Sequence, residues 1–279
     1  MNTKPVPREA ATRPAPCARA LSALAAGAGG APGPAAGVRA PLTTLSYAPA
    51  PECVDANLLI LFHGLGDTNA SFSCLGTTLQ KTLPQTAVLS VQAPLRVPLL
   101  DEAAWMWWPS FDSLGDLIAH PDPRDAIAAV CALLDYLTAP EAHGGCAWRA
   151  ANVHLFGFGQ GGSLALEATV ARSRRRAADG ALGSVTSLPT FLPPLSVPVC
   201  FVTRFPAAYE VSSATARSQV AAVRKAFAHV TLLNFPPRGA VPEESMLHGS
   251  EWQDVFRFWA KFWRHRSTWE RDGEVYEVG

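Results

Sequence analysis

The stretch Leu155-Phe156-Gly157-Phe158-Gly159-Gln160-Gly161-Gly162 has the spacing of a site that attacks carbonyl carbon, with one residue changed. An apolar run, Val153 to Phe156, enters a glycine-dense turn, and a helix-like segment from Ser163 to Val170 leaves it. Such a turn presents one side chain at its apex. It also presents backbone N–H groups at the start of the helix, where the dipole favours negative charge. In the G-x-S-x-G form of this motif the apex residue is a nucleophilic serine. Position 159 is glycine, so the spacing predicts the architecture without its attacking oxygen.

A second motif lies upstream. Asn57 to Phe62 reads as a buried strand and runs straight into His63-Gly64-Leu65-Gly66-Asp67. An HG loop placed after such a strand supplies one backbone donor of an oxyanion hole, and the residue following the nucleophile supplies the other. Those donors would be the N–H groups of Leu65 and Gln160, with His63, Gly64 and Gly161 shaping the two turns. Together with Trp108-Pro109-Ser110-Phe111-Asp112, the motifs resemble, in kind and order, the acyl-protein thioesterase / phospholipase–carboxylesterase family of α/β-hydrolases. The resemblance runs from Pro41 to Arg264, specific in its first half and weak in its second. It implies a mostly parallel central sheet flanked by helices, and a cofactor-free serine hydrolase of thioesters or carboxylic esters, often of fatty acyl chains.

The resemblance also says where base and acid should stand. The acid follows the next-to-last core strand; here Val199 to Val202 leads to Ala207 at that position, with Glu210 three residues on. Glu210 reads as a loop glutamate. The base follows the last strand; here Val230 to Phe235 leads to Ala240, and His248 lies eight residues later as a weak candidate. Gly159, Ala207 and Ala240 thus describe a degenerate triad. Triad members act as a unit, and losing any of them leaves only the roughly 10³–10⁴-fold acceleration due to oxyanion hole and binding. The donors at Leu65 and Gln160 need no particular side chain, so a place for an anion or carbonyl oxygen persists.

Other nucleophiles are available in principle. Ser163 follows the elbow in the first helical turn, and Ser71, Ser73 and Cys74 follow the HG loop. A cysteine nucleophile needs a nearby base and a lowered pKa, and no histidine is placed by sequence to supply them. Cys74 reads as a small apolar residue on a helix. Two expectations follow: a non-hydrolytic pseudoenzyme that binds an acyl or ester ligand or a protein partner, or an active carboxylesterase or palmitoyl-protein thioesterase with a relocated nucleophile.

Composition fits a globular α/β domain. The chain has 279 residues, 48% of them apolar and 16% charged, against about 25% charged in typical domains. Lys+Arg and Asp+Glu both number 23, so no global basic field favours nucleic acid. The basic run Arg172-Ser173-Arg174-Arg175-Arg176 reads as a solvated helix end that complements the dipole. No P-loop, H-E-x-x-H or paired-cysteine spacing asks for a cofactor or metal. The six cysteines show no disulfide framework, and Cys131 and Cys200 read as buried thiols. No apolar run is long enough to cross a membrane, and the expected setting is cytoplasmic.

Residues 1–40, rich in Pro, Ala and Gly, read as a disordered tail, leaving 41–279 as the hydrolase-like domain. A transit-peptide reading of the tail is opposed by its prolines and sparse serine. Strands are expected at 58–62, 87–92, 153–157, 183–188, 199–203 and 230–235, and helices at 70–82, 124–137, 161–175, 212–228 and 250–265. Ile127, Val130, Cys131 and Leu134 repeat at helical spacing. The stripe from Trp252 to Trp263 reads as core packing. Both glycine motifs fall at strand carboxyl ends, where open α/β sheets bind ligands. Trp105-Met106-Trp107-Trp108 interrupts the alternation and, as a strand, would leave at least one tryptophan for a groove or partner, unless it folds as a lid onto its own core.

Overall fold

The computed structural model describes residues 42, 44–112, 114–179, 195–204, 214–238 and 245–265. Along the chain these form β1 (Leu45–Ala48), β2 (Asn57–Phe62), α1 (Asn69–Gln80), β3 (Thr86–Val91), β4 (Leu95–Arg96), β5 (Trp105–Met106), α2 (Arg124–Thr138) and β6 (Val153–Gly157). Then come α3 (Gln160–Asp179), β7 (Val199–Thr203), α4 (Ala214–Ala226), β8 (Val230–Asn234) and α5 (Glu251–Trp259). The contacts divide into two compact units. One runs through Ala168 and resumes at Arg264, and the other extends from Thr169 to Trp263.

The first unit is built on a four-stranded sheet ordered β1-β3-β2-β6. β2 pairs parallel with β3 and with β6, and β1 pairs antiparallel with β3. Leu58 to Phe62 are wholly buried, because a strand flanked on both sides in a parallel sheet is covered on both faces. That burial is why this strand reads as an unbroken apolar run. Helix α1 packs on β1, β2 and β3. Its Gly76 lies so close to β3 that a Cβ there would be 2.4 Å from Val88 Cγ1. In α2 the buried face carries Ala126, Val130, Cys131, Leu134 and Leu137. The second unit contains the parallel pair β7–β8, with Val199 opposite Val230 and Thr203 opposite Asn234.

The expected α/β architecture with mostly parallel pairing is present, and the expected helices and strands that fall on described residues are found within a few positions, except that the last helix, expected at 250–265, ends at Trp259. Two elements escaped the sequence pattern. β1 is a four-residue antiparallel strand with mixed burial, and β4–β5 is a two-residue ladder pairing Leu95 with Met106. The strand expected at 183–188 lies outside the described residues, as do residues 1–40, Glu210, Ala207 and Ala240. Among the cysteines, Cys131 is buried as expected, Cys200 is only partly buried, and Cys74 lies on α1 as expected, exposed. Cys146 is disulfide-bonded. The scattered spacing gave no sign of that bond. Among the described residues no helix is long and apolar enough to cross a membrane.

Candidate functional site

β2 and β6 lie side by side with Phe62 opposite Gly157, so the loops that follow them emerge together. Phe158 N–H donates to Phe62 O at 3.1 Å, tying the second loop to the end of the first strand. Helix α3 then starts hard against β2. A Cβ on Gly161 would lie 2.4 Å from Phe62 O and 2.5 Å from His63 O, and one on Gly157 would lie 2.2 Å from Gly161 O. Only glycine allows backbone to approach backbone this closely.

Gly159 stands at the apex with φ +52°, in the left-handed region, while a Cβ built on it would meet only Gly64 Cα, at 3.9 Å. The apex is thus roomy and conformationally demanding. In the two loops that meet here, neither Leu65 N–H nor Gln160 N–H donates to a protein acceptor among the described residues.

His63 is fully buried and belongs to the frame. Ala93 N–H donates to its Nε2 at 3.0 Å, so that nitrogen must be the acceptor, and Nδ1–H donates to Gly64 O at 2.8 Å. Gln92 Nε2 donates to the same Nε2 at 3.0 Å. Burial pushes the imidazole pKa below its ordinary value, which agrees with a neutral ring carrying its proton on Nδ1. Trp107, also buried, stacks at a tilt on His63 with centroids 5.4 Å apart, and its Nε1–H donates to His63 O at 2.8 Å.

Gln160 fastens the aromatic segment. Its Oε1 accepts from Trp107 N–H at 2.7 Å, and its Nε2 donates to Ser110 Oγ at 2.9 Å and Trp108 O at 3.3 Å. Gly66 N–H donates to Trp105 O at 2.9 Å. The segment is therefore strand only at Trp105–Met106. After that, Trp107 turns inward and Trp108 lines a groove of about 230 Å³ with Pro121, Pro123, Ile127, Ser163, Leu164 and Glu167. Sequence reasoning had assigned Gln160 only a backbone role. The signal available was its position one residue past the apex, where a side chain reaches back over the loop beside it.

In the second unit the strand ends carry different chemistry. Arg204, directly after β7, is buried and donates from Nε to Ser245 O (2.7 Å), from Nη1 to Pro236 O (3.1 Å) and Glu251 Oε1 (3.0 Å), and from Nη2 to Met246 O (2.9 Å) and Glu251 Oε2 (2.6 Å). The side chain has five N–H groups, and all are used. Arg238, after β8, approaches Glu251 Oε1 at 3.3 Å. Hydrogen bonding to Arg204 holds the Glu251 carboxyl below its ordinary pKa, against the effect of burial. His248 is exposed and meets Glu251 through its backbone N–H at 2.9 Å. Its ring has no hydrogen-bond partner among the described residues. No group of three or more His, Cys, Asp or Glu among them is arranged to hold a metal ion.

Residues 49–199 match the model of the family described as phospholipase/carboxylesterase. An uncharacterised hydrolase of Mycosarcoma maydis is 43% identical over 240 residues, covering 84% of this chain and 86% of that protein. An uncharacterised hydrolase of Schizosaccharomyces pombe is 32% identical over 152 residues, covering 51% and 60%. Among solved structures, an esterase designated PE8 superposes with a TM-score of 0.51 at 16% identity, covering 78% of this chain and 97% of that one; the likeness is one of fold. The matched span contains both glycine motifs and ends where β7 begins. The chain has the α/β-hydrolase fold and belongs to the phospholipase/carboxylesterase family.

Proposed function

We propose that this member of a hydrolase family is a pseudoenzyme, which binds an acyl or ester ligand or a protein partner without turnover. The observation that carries the reading is the apex of the elbow. Gly159 occupies the middle of G-x-G-x-G, where the family's motif has serine, and the loops around it carry two N–H groups, of Leu65 and Gln160, that donate to no protein acceptor among the described residues. Those donors suit a carbonyl oxygen or carboxylate, and no atom at the apex can attack it. His63 is buried and already engaged at both nitrogens, which suits it to hold the loop and not to move a proton. Ala207 and Ala240 stand at the positions inferred for acid and base. We also place the chain in the cytoplasm.

The test is hydrolysis of short- and long-chain p-nitrophenyl esters and a palmitoyl thioester by the folded protein, with fluorophosphonate labelling in parallel. The expected outcome is no turnover above a heat-treated control and no labelled serine. Turnover with a mapped adduct would overturn the reading in favour of an active esterase, and the adduct would name the relocated nucleophile.

A further inference from the structure

The groove beside the elbow is lined by apolar side chains except for Ser163 and Glu167, one turn apart on α3. Glu167 supplies the only charged group in the lining, and it has no ion-pair or hydrogen-bond partner among the described residues. Trp108 lines the same groove, and its indole is the aromatic side chain that best attracts a cation over its face. We propose that this groove binds a small organic cation, a primary or quaternary ammonium, between the Trp108 ring and the Glu167 carboxylate.

Helix geometry extends the argument. Gln160, Ser163 and Glu167 fall at i, i+3 and i+7 of α3 and so share one face. Seven residues at 1.5 Å each separate the Gln160 N–H from Glu167 by about 10 Å along the axis. Gln160 also fixes Trp108 by accepting from the backbone before it and donating to its carbonyl. A molecule with a carbonyl or carboxylate at one end and an ammonium at the other, spaced by a short chain, therefore matches both features. This pairing rests on the carbonyl-binding reading above; the cation site itself does not. An anion is repelled by Glu167. A plain hydrocarbon chain fits the walls but gains nothing from the carboxylate.

The experiment is a calorimetric titration of the whole chain with choline, with its neutral carbon isostere 3,3-dimethylbutan-1-ol, and with the acetate ester of each. Choline is expected to bind at least about fivefold more tightly than the isostere. That preference should vanish in Glu167→Gln and shrink in Trp108→Ala. Glu167 is exposed on the helix, so the first variant keeps the fold. Equal binding of cation and isostere, preference for the isostere, or no binding of either overturns the cation site. If the esters gain over the alcohols in both series while charge gives no advantage, the carbonyl-binding reading survives and the cation site fails. If choline binds and esterification adds nothing, the reverse holds.

Discussion

At the ends of β2 and β6 the chain is fastened by backbone and by neutral groups: the His63 imidazole, the Gln160 amide and the Trp107 indole. At the ends of β7 and β8 it is fastened by ions, Arg204 and Glu251, with Arg238 beside them. The first arrangement engages side chains and leaves the Leu65 and Gln160 N–H groups uncommitted. The second uses every Arg204 donor within the protein. A neutral frame can hold a polarised ligand without competing for it, whereas a buried ion pair must satisfy itself or be very costly. The family match covers the first pair of strand ends and stops at Val199, before the second. The proposed ligand site therefore lies with the neutral frame, while the ionic cluster ties Ser245, Met246 and Pro236 to the end of β7.

Breaking the ionic end should give the largest effect. Glu251→Gln leaves Arg204 buried without its counter-charge, and a loss of about 3–5 kcal/mol is expected in denaturant unfolding. Arg238→Gln, at a half-exposed member of the same cluster, should cost no more than about 1 kcal/mol. Equal effects from the two would show that the bidentate pair is not the fastening.

The neutral end can be sharpened by two glycines two residues apart. Gly161→Ala forces a methyl against Phe62 O and His63 O, which are backbone and cannot step aside, so destabilisation of about 3 kcal/mol or more is expected. Gly159→Ser has room but takes a left-handed φ, and should cost about 1–3 kcal/mol and still fold. It should not hydrolyse esters, because base and acid are also missing from their inferred positions. Turnover near roughly 1 s⁻¹ by this single variant would show that a working histidine has been overlooked.

The smallest difference should appear in acid. His154 on β6 is half-buried, and desolvation pushes its pKa down to about 4; His63 is lowered for the same reason. The unfolded chain takes up protons at these histidines first, so their part of the stability is lost as pH falls from about 6.5 toward 4. Glu251 is lowered as well. Its contribution is complete above the ordinary glutamate value of about 4.3 and is lost only as pH falls through its lower folded value. Peptide-level hydrogen exchange between pH 6.5 and 4.5 should therefore show β6 losing protection while α5 keeps it. Simultaneous loss would remove the distinction.

How much of this was legible depended on whether a feature was written in local sequence. β2 could be read because burial on both faces demands an unbroken apolar run, and the elbow because close backbone approach demands glycine at 157 and 161. β1 and the β4–β5 ladder could not, being short and half-exposed with no clean period. The last helix was read as one apolar stripe, yet Val255, Phe258 and Trp259 are buried with Glu251, while Phe262 lies beyond the helix and is 44% exposed. A glutamate in a core has no local signature, since what makes it tolerable is an arginine 47 residues away.

The sequence by itself determined the α/β alternation, the two glycine motifs and the absence of a serine at position 159, since residue identity and short spacing carry all three. Tertiary structure alone decided that His63 is a neutral strut, that Gln160 grips the tryptophan segment, that Trp108 faces a groove with Glu167, and that Arg204 and Glu251 pair. Each depends on groups far apart in the chain meeting at hydrogen-bond or van der Waals distance. Only the packing of strands and helices fixes such distances.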